Sequence, residues 1–279
     1  MNDRLNDLVN QHYGKSGLMG RILRALEESG INIQDAVSRD FSPVAEFHIG
    51  GRAATVKLAN FAKLQSQHRV LDLGSGLGGP ARTLAEEFGV RVDGVDLTRE
   101  FCDVANELTR ISGLSDRVTF FCGDALSLNV ADHTYDVVWT QQSCMNIRDK
   151  ERLIREVNRV LKPGGTYVFQ EVFGVDHGDV IHLPVPWARS AEMSFLSLPS
   201  SIYDLISGEG MKEVIWLDAT DQFIEEYREL AAKTGDATQR PPLGVHLMLG
   251  EQSATMRQNV VRNLEEGRVS VYQGVFVKP

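Results

Sequence analysis

The stretch RVLDLGSGLGG, from Arg69 to Gly79, constrains this chain more than any other. A short apolar run, Val70–Leu73, breaks off at glycines 74, 76, 78 and 79. Pro80 then stands where a first helical turn belongs, and Ala81, Leu84, Ala85 and Phe88 recur at helical spacing until Gly89 closes the helix. Strand, glycine turn and helix open a βαβ unit, and the pattern repeats. Val90–Val95 reads as a strand ending at Asp96, and Thr98 suits the N-cap of a helix carrying Phe101, Ala105, Leu108 and Ile111. Val118–Phe121 and Tyr135–Thr140 are further strands. Asp149 can cap a helix with Leu153, Ile154, Val157 and Leu161, and Lys162–Gly165 turns into a fifth strand, Thr166–Val172. Such alternation with short connections predicts an α/β chain with a parallel sheet covered by helices on both faces.

The flanks read differently. Leu18, Ile22 and Leu26 mark a helix ended by Gly30, and a second helical pattern runs through Ala53, Ala54, Leu58 and Phe61. After Val172 the rhythm stops. Residues 174–209, with Pro184, Pro186, Trp187 and Pro199, read as an insertion over the sheet's edge. Val214–Leu217 is a sixth strand, Phe223 to Ala231 a helix, and Thr234–Gly244 a polar loop. Two short β-rich runs close the chain, Val269–Tyr272 and Val275–Val277, and an antiparallel strand there completes a seven-stranded sheet. The expected divisions are a helical cap segment (1–66), a ligand-binding core (67–173), an acceptor-side cap with the remaining helices (174–262) and terminal strands (263–279).

Composition narrows the function classes. The 279 residues are 42% hydrophobic with a net charge of −9, ample for a core and unlike a disordered chain. No apolar run approaches the roughly 20 residues of a membrane span, and the first residues lack a signal-peptide pattern. An acidic chain argues against nucleic acid as the main partner. Three scattered cysteines, Cys102, Cys122 and Cys144, give no CxxC spacing and point to a reducing cytoplasm.

In an open parallel sheet, ligands bind beyond the carboxyl ends of the strands. Gly74 and Gly76 lie at such an end, where a turn without side chains lets backbone approach a ligand. Gly74, Gly76 and Gly79 also satisfy the dinucleotide pattern GxGxxG. Asp72, two residues before the first glycine, counts against that reading, because its carboxylate would repel a pyrophosphate. Asp96 suits ribose hydroxyls and Asp124 an adenine amino group, although an aspartate after a strand also serves as a cap. Three carboxylates favour a cationic ligand without phosphates, such as S-adenosyl-L-methionine.

The segments VLDLGSGLGG, VDGVDLT, FFCGDAL, YDVVWTQQS and RVLKPGG, in this order over residues 68–173, resemble the successive motifs of class I S-adenosylmethionine-dependent methyltransferases. Among these the chain is similar to the small-molecule type, nearest to the sarcosine/dimethylglycine N-methyltransferases through Phe47–Gly51 and the terminal segment Asn263–Lys278. The resemblance implies a Rossmann-like seven-stranded, mostly parallel sheet, with a helical cap from the N-terminus and from insertions after strand 5. It implies that Asp72, Gly74 and Gly76 hold the methionyl end, Asp96 the ribose, Leu97 the adenine face, and Asp124 with Ala125 the adenine edge. Gln141 would face the methionyl part, and Tyr13 and His48 would lie on segments closing over the cofactor. The product would be S-adenosyl-L-homocysteine.

One departure stands out: relatives acting on oxygen or carbon carry histidines after the fourth strand, and here that stretch is Gln141–Asn146 without one. Methyl transfer from a sulfonium needs positioning more than proton transfer, but a hydroxyl acceptor needs a base. Glu171, at the end of the fifth strand, and His48 are the expected catalytic residues, with His177, His182 and His246 as further bases. Cys144 is a possible nucleophile or a buried thiol, and Trp187 with Phe195 an aromatic wall for a cationic amine or ordinary core. No essential metal is expected. The favoured acceptor is an amine such as a glycine derivative. O- or C-methylation of a natural product is the alternative, followed by a nicotinamide-dependent oxidoreductase and a non-methylating S-adenosylmethionine-binding or cyclase-like protein. The expected partners are a small-molecule acceptor, with no membrane and no nucleic acid, in a monomer or homodimer.

Overall fold

A computed structural model describes residues 17–176, 180–234 and 241–279. Its core is a seven-stranded sheet: β1 (Arg69–Leu73), β2 (Arg91–Asp96), β3 (Val118–Cys122), β4 (Tyr135–Gln141), β5 (Leu161–Gly174), β6 (Lys212–Asp218) and β7 (Val269–Val277). The spatial order is β3-β2-β1-β4-β5-β7-β6. β1 to β5 pair in parallel, and β7 runs antiparallel between β5 and β6. The helices are α1 (Leu18–Glu28), α2 (Gly51–Phe61), α3 (Gly79–Phe88), α4 (Arg99–Ile111), α5 (Lys150–Val160), α6 (Pro199–Gly208), α7 (Thr220–Thr234) and α8 (Ser253–Glu265), with single turns between.

Alternation along the strands splits the core. Leu71, Leu73, Val138, Tyr167 and Phe169 face α5 and α6, and Val70, Val92, Val137, Trp139 and Val168 face α2, α3 and α4. Burial on both faces explains why the strands read as apolar runs. A third cluster ties Leu18, Ile22 and Leu26 of α1 to Phe101, Val104 and Leu108 of α4. A fourth gathers Ile49, Met145, Trp187, Phe223, Val260 and Val271 beyond the carboxyl ends of the central strands.

The closing segment differs from expectation: its two β-rich runs are one continuous strand. Gln273, which interrupts the apolar pattern, is fully buried, and its Nε2 donates to Gln170 Oε1 at 2.8 Å across the β5–β7 pair. Gly274 lets the Phe169 ring lie where a side chain would stand, since a Cβ there would be 2.2 Å from Cζ. Residues 263–265 belong to α8, and α6 occupies part of the segment read as irregular insertion.

Candidate active site

The strand order reverses between β1 and β4, and a cleft opens beyond their carboxyl ends. It encloses about 460 Å³ and is lined after β1 by Gly74 and Gly76, after β2 by Asp96, Leu97 and Thr98, after β3 by Asp124, Ala125 and Leu126, and after β4 by Gln142 and Ser143. Backbone geometry builds this floor. Gly74 and Gly76 adopt φ of 74° and 53°, and a Cβ on Gly74 would stand 2.2 Å from that of Ser143. Asp96 accepts from Gly76 N (2.9 Å) through Oδ2 and from Thr98 N (2.8 Å) through Oδ1, which stiffens the first turn against the second strand. Burial raises the pKa of Asp96 despite those donors. Asp124 Oδ1 accepts from Leu126 N at 2.8 Å, so this residue both caps its turn and lines the cleft.

Six of the expected cofactor residues, Gly74, Gly76, Asp96, Leu97, Asp124 and Ala125, therefore share one cleft. Tyr13 and His177 lie outside the described residues. Asp72 sits beneath the floor rather than on its wall, 2% exposed. Its Oδ2 is enclosed and has no hydrogen-bond partner, and burial, with Asp96 and Glu46 nearby, pushes its pKa up to about 8. A buried acid without a counter-charge fits a ligand that brings a cation. Gln141 also fails to reach the cleft. Strand parity turns it to the side of Trp139, whose Nε1 donates to its Oε1 at 3.1 Å.

Gln141 joins instead a buried network around His48. His48 Nε2 is 2.9 Å from Glu46 Oε2 and Nδ1 is 3.1 Å from Gln141 Nε2, while Thr55 Oγ1 lies between them. Because Gln141 Oε1 accepts from Thr55 and Trp139, its amide nitrogen points at Nδ1, and the proton belongs on Nε2, toward Glu46. Thr83 Oγ1 donates to Glu46 Oε1. These partners hold the pKa of Glu46 below its ordinary value against the opposing effect of burial, the largest single influence.

A second chamber of about 570 Å³ lies beside the cleft, lined by Ile49, Met145, Trp187, Phe223, Tyr227, Leu249 and Val260, with Glu46, His48, Glu226, Glu229 and Arg257 among the polar residues, so the expected catalytic His48 borders this space. Phe47 and Gln142 border both spaces. Sequence reasoning missed both residues. Gln142 carries no local signal, because its position follows from a left-handed backbone (φ 54°) just past β4. Ile49 is held on both sides of this seam: Gln170 Nε2 donates to its carbonyl at 2.9 Å, and its N–H donates to Gln142 Oε1 at 3.0 Å.

Glu171 is not placed as an acceptor base. It is fully enclosed, with Oε1 taking Ser143 N at 3.3 Å and Oε2 taking Cys144 N at 3.1 Å, and it borders only a cavity of about 20 Å³ behind the loop. Burial lifts its pKa to about 7. Its geometry shapes the loop after β4, which Lys150 Nζ also ties down through Cys144 O (2.9 Å) and Phe195 O (2.8 Å). Cys144 is buried, which raises its thiol well above the ordinary range. Trp187 and Phe195 form no common wall: Trp187 lines the chamber, whereas the Arg148 guanidinium sits 4.7 Å over the Phe195 ring. His182 pairs with Glu266 at 2.7 Å, and His246 lies beside Arg24 and Pro242. Among the described residues no group of three or more His, Cys, Asp or Glu is placed to hold a metal ion, and no helix is long and apolar enough to cross a membrane.

Residues 71–169 match the family described as "Methyltransferase domain". Methyltransferase GfsG of Streptomyces halstedii is 33% identical over 62% of this chain and 60% of its own length, so the chain spans three fifths of that curated relative. The 27-O-demethylrifamycin SV methyltransferase of Amycolatopsis mediterranei is 27% identical over 80% of this chain and 75% of its own. N-methyltransferases match over 36% to 63% of this chain. Among solved structures, geranyl diphosphate C-methyltransferase of Streptomyces coelicolor superposes with a TM-score of 0.71 over 99% of this chain and 98% of its own, at 18% identity. The [4+2]-cyclase SpnF does so with 0.61 over 82% and 80%, at 26% identity. Residues 71–169 thus match a methyltransferase domain, and the likeness to such domains supports S-adenosyl-L-methionine as the cofactor.

Proposed function

We propose that this protein transfers the methyl group of S-adenosyl-L-methionine to an oxygen or carbon of a natural product larger than an amino acid. The observation that carries this reading is the second chamber, about 570 Å³, mainly apolar, and joined to the cofactor cleft at Phe47 and Gln142. A glycine derivative would leave most of that space to water and set its charged ends against Met145, Trp187 and Phe223. A large apolar acceptor gains about 25 cal/mol for each Å² it buries there. In sequence the rifamycin enzyme, named for an oxygen acceptor, matches 80% of this chain, against 36% to 63% for the N-methyltransferases. The amine acceptor favoured by sequence therefore gives way to its alternative.

The bound cofactor supplies an electrophilic methyl on a sulfonium, and the leaving thioether needs no proton. The chain's contribution is alignment and exclusion of water, together worth up to about 7–11 kcal/mol for well-oriented groups. Asp96 and the Gly74–Gly76 turn fix one end, and Asp72 offers a carboxyl to the cationic methionyl end. Trp187, Phe223 and Val260 hold the acceptor, and Phe47 and Gln142 form the seam where the two meet.

Titration with S-adenosylhomocysteine and with NADH tests the cofactor assignment, and mass-spectrometric transfer of a deuterated methyl tests the acceptor class. The expected result is binding of the first ligand alone, and label on phenolic, enolic or hydroxylated polyketides rather than on sarcosine or dimethylglycine. Label on the amines alone overturns the acceptor reading. The 26% identity to a [4+2]-cyclase favours a second reading, a protein that binds the cofactor without transferring methyl. Under it no acceptor leads to accumulation of S-adenosylhomocysteine.

A further inference from the structure

Gln142 is the one polar residue, among those described, that borders both the cofactor cleft and the acceptor chamber. Its backbone takes a left-handed φ of 54°, a conformation that costs a glutamine free energy and collects at ligand sites. Ile49 N donates to Oε1 at 3.0 Å, which fixes the amide: the oxygen faces Ile49 and the nitrogen faces away. Nε2 is then an enclosed donor with no partner. Enclosed donors are nearly always paired, so an unpaired one at a seam between two ligand spaces marks a missing acceptor atom.

The surrounding groups decide what that atom is. An amide N–H donates and cannot accept, so it takes an oxygen lone pair or an oxyanion and offers nothing to an ammonium. Among the described residues no base stands free beside it, although His48 and Glu46 also line the chamber. His48 engages Glu46 through one nitrogen and Gln141 through the other. Glu171 spends both oxygens on backbone amides behind the loop, and Cys144 is a buried thiol. On the cofactor side Asp96 accepts two backbone donors and Asp124 one. Glu226, Tyr227 and Glu229 of α7 and Arg257 of α8 border the chamber but not the cleft.

We infer that Gln142 Nε2 hydrogen-bonds the acceptor oxygen at the point of transfer, and that the acceptor is an acidic oxygen compound, a phenol, enol or 1,3-dicarbonyl, that ionises without help from a protein base. This rests on the methyl-transfer reading. The acceptor loses its proton to water before transfer. Its oxygen, or the enolate carbon conjugated to it, forms a bond to the sulfonium methyl while the carbon–sulfur bond breaks. That electron pair stays on sulfur, leaving neutral S-adenosylhomocysteine. The amide donor stabilises the oxyanion without quenching it.

The test is a pH–rate series with the unaltered protein on phenols of graded pKa, starting from 4-nitrophenol-type and ending at alkyl-substituted compounds, read as deuterated methyl transferred. The acid limb of kcat/KM should move with the pKa of each acceptor, unit for unit. A limb fixed at one pH for all acceptors means a protein base and overturns the inference, as does faster transfer to amines than to any phenol. Gln142→Glu keeps the acceptor for Ile49 N and replaces the donor by a second oxygen. It should lower kcat/KM for phenols about 10- to 100-fold. Gln142→Met should lose about the same factor, which separates a lost donor from an added charge. Undiminished transfer by both variants refutes the role of Gln142. Failure of the unaltered protein to bind S-adenosylhomocysteine would instead refute the methyltransferase reading beneath it.

Discussion

On the proposed cofactor assignment, Asp72 would link the fold to the cofactor through a proton. Its carboxyl is 2% exposed, its Oδ2 is unpartnered, and burial, with Asp96 and Glu46 adding to it, moves its pKa from 3.8 to about 8. At pH 7 such a group is about nine-tenths protonated. The methionyl ammonium of the cofactor favours the carboxylate, so binding should release about 0.9 proton at pH 7 and about 0.1 at pH 9. Calorimetry of S-adenosylhomocysteine in buffers of different ionisation enthalpy reads that number directly. The sign for stability follows from the raised value: the folded chain holds the proton more tightly than the unfolded chain, so stability is full below pH 3.8 and is lost as the pH rises through 8. Over the 3.2 units from 3.8 to 7 the loss amounts to about 4 kcal/mol. Asp72→Asn removes this titration. The variant should gain on the parent as the pH rises from 4 to 8, while its affinity for S-adenosylhomocysteine falls about 10- to 100-fold. Heats that do not depend on buffer at pH 7, with parallel pH–stability curves for parent and variant, would refute the reasoning.

Three further outcomes are expected. Gly74→Ala combines a left-handed φ of 74° with a Cβ 2.2 Å from that of Ser143; about 2–4 kcal/mol should be lost, a drop in Tm of about 4–10 °C by calorimetry, with weaker cofactor binding. Glu46→Gln should cost about 1–3 kcal/mol near neutrality. Because the folded pKa of Glu46 is lowered, that difference is present above its ordinary value of 4.5 and should vanish in thermal melts as the pH falls through the folded value. Glu171 is lifted to about 7 and titrates within the assayed range, but it holds Ser143 and Cys144 rather than the acceptor, so Glu171→Gln should lower transfer by less than about tenfold on either side of pH 7; a far larger loss confined to pH above 7 would make it a base after all.

The parallel core was legible because its signals are local. A strand buried on both faces reads as an apolar run, a glycine turn announces the helix that follows, and Asp149 caps α5 through Arg152 N at 2.9 Å as its position suggests. The last strand was harder because Gln273 and Gly274 look like a break; their fitness for a strand exists only opposite Gln170 and Phe169, about a hundred residues earlier. The residues lining the cleft were legible for the same reason as the core: they stand at strand ends whose order the sequence announces.

The acceptor side resists reading because its residues are chosen by parity and by backbone handedness. Gln141 and Gln142 are neighbours of one type, yet strand alternation sends the first into the network of His48 and Trp139, and the left-handed turn sends the second to the seam between the chambers. Glu171 stands at the carboxyl end of its strand, as a base would, but the single turn Cys144–Asn146 folds over it and presents two amides. Loss of histidines after the fourth strand and capture of both plausible bases by backbone and buried partners are one fact seen twice. On the proposed reading a loop held by Glu171 and Lys150 trades proton transfer for rigid placement of one donor, Gln142. On that reading such a site would select acceptors by their own acidity, and the pKa of the acceptor, more than its carbon skeleton, would set which compounds this chain methylates.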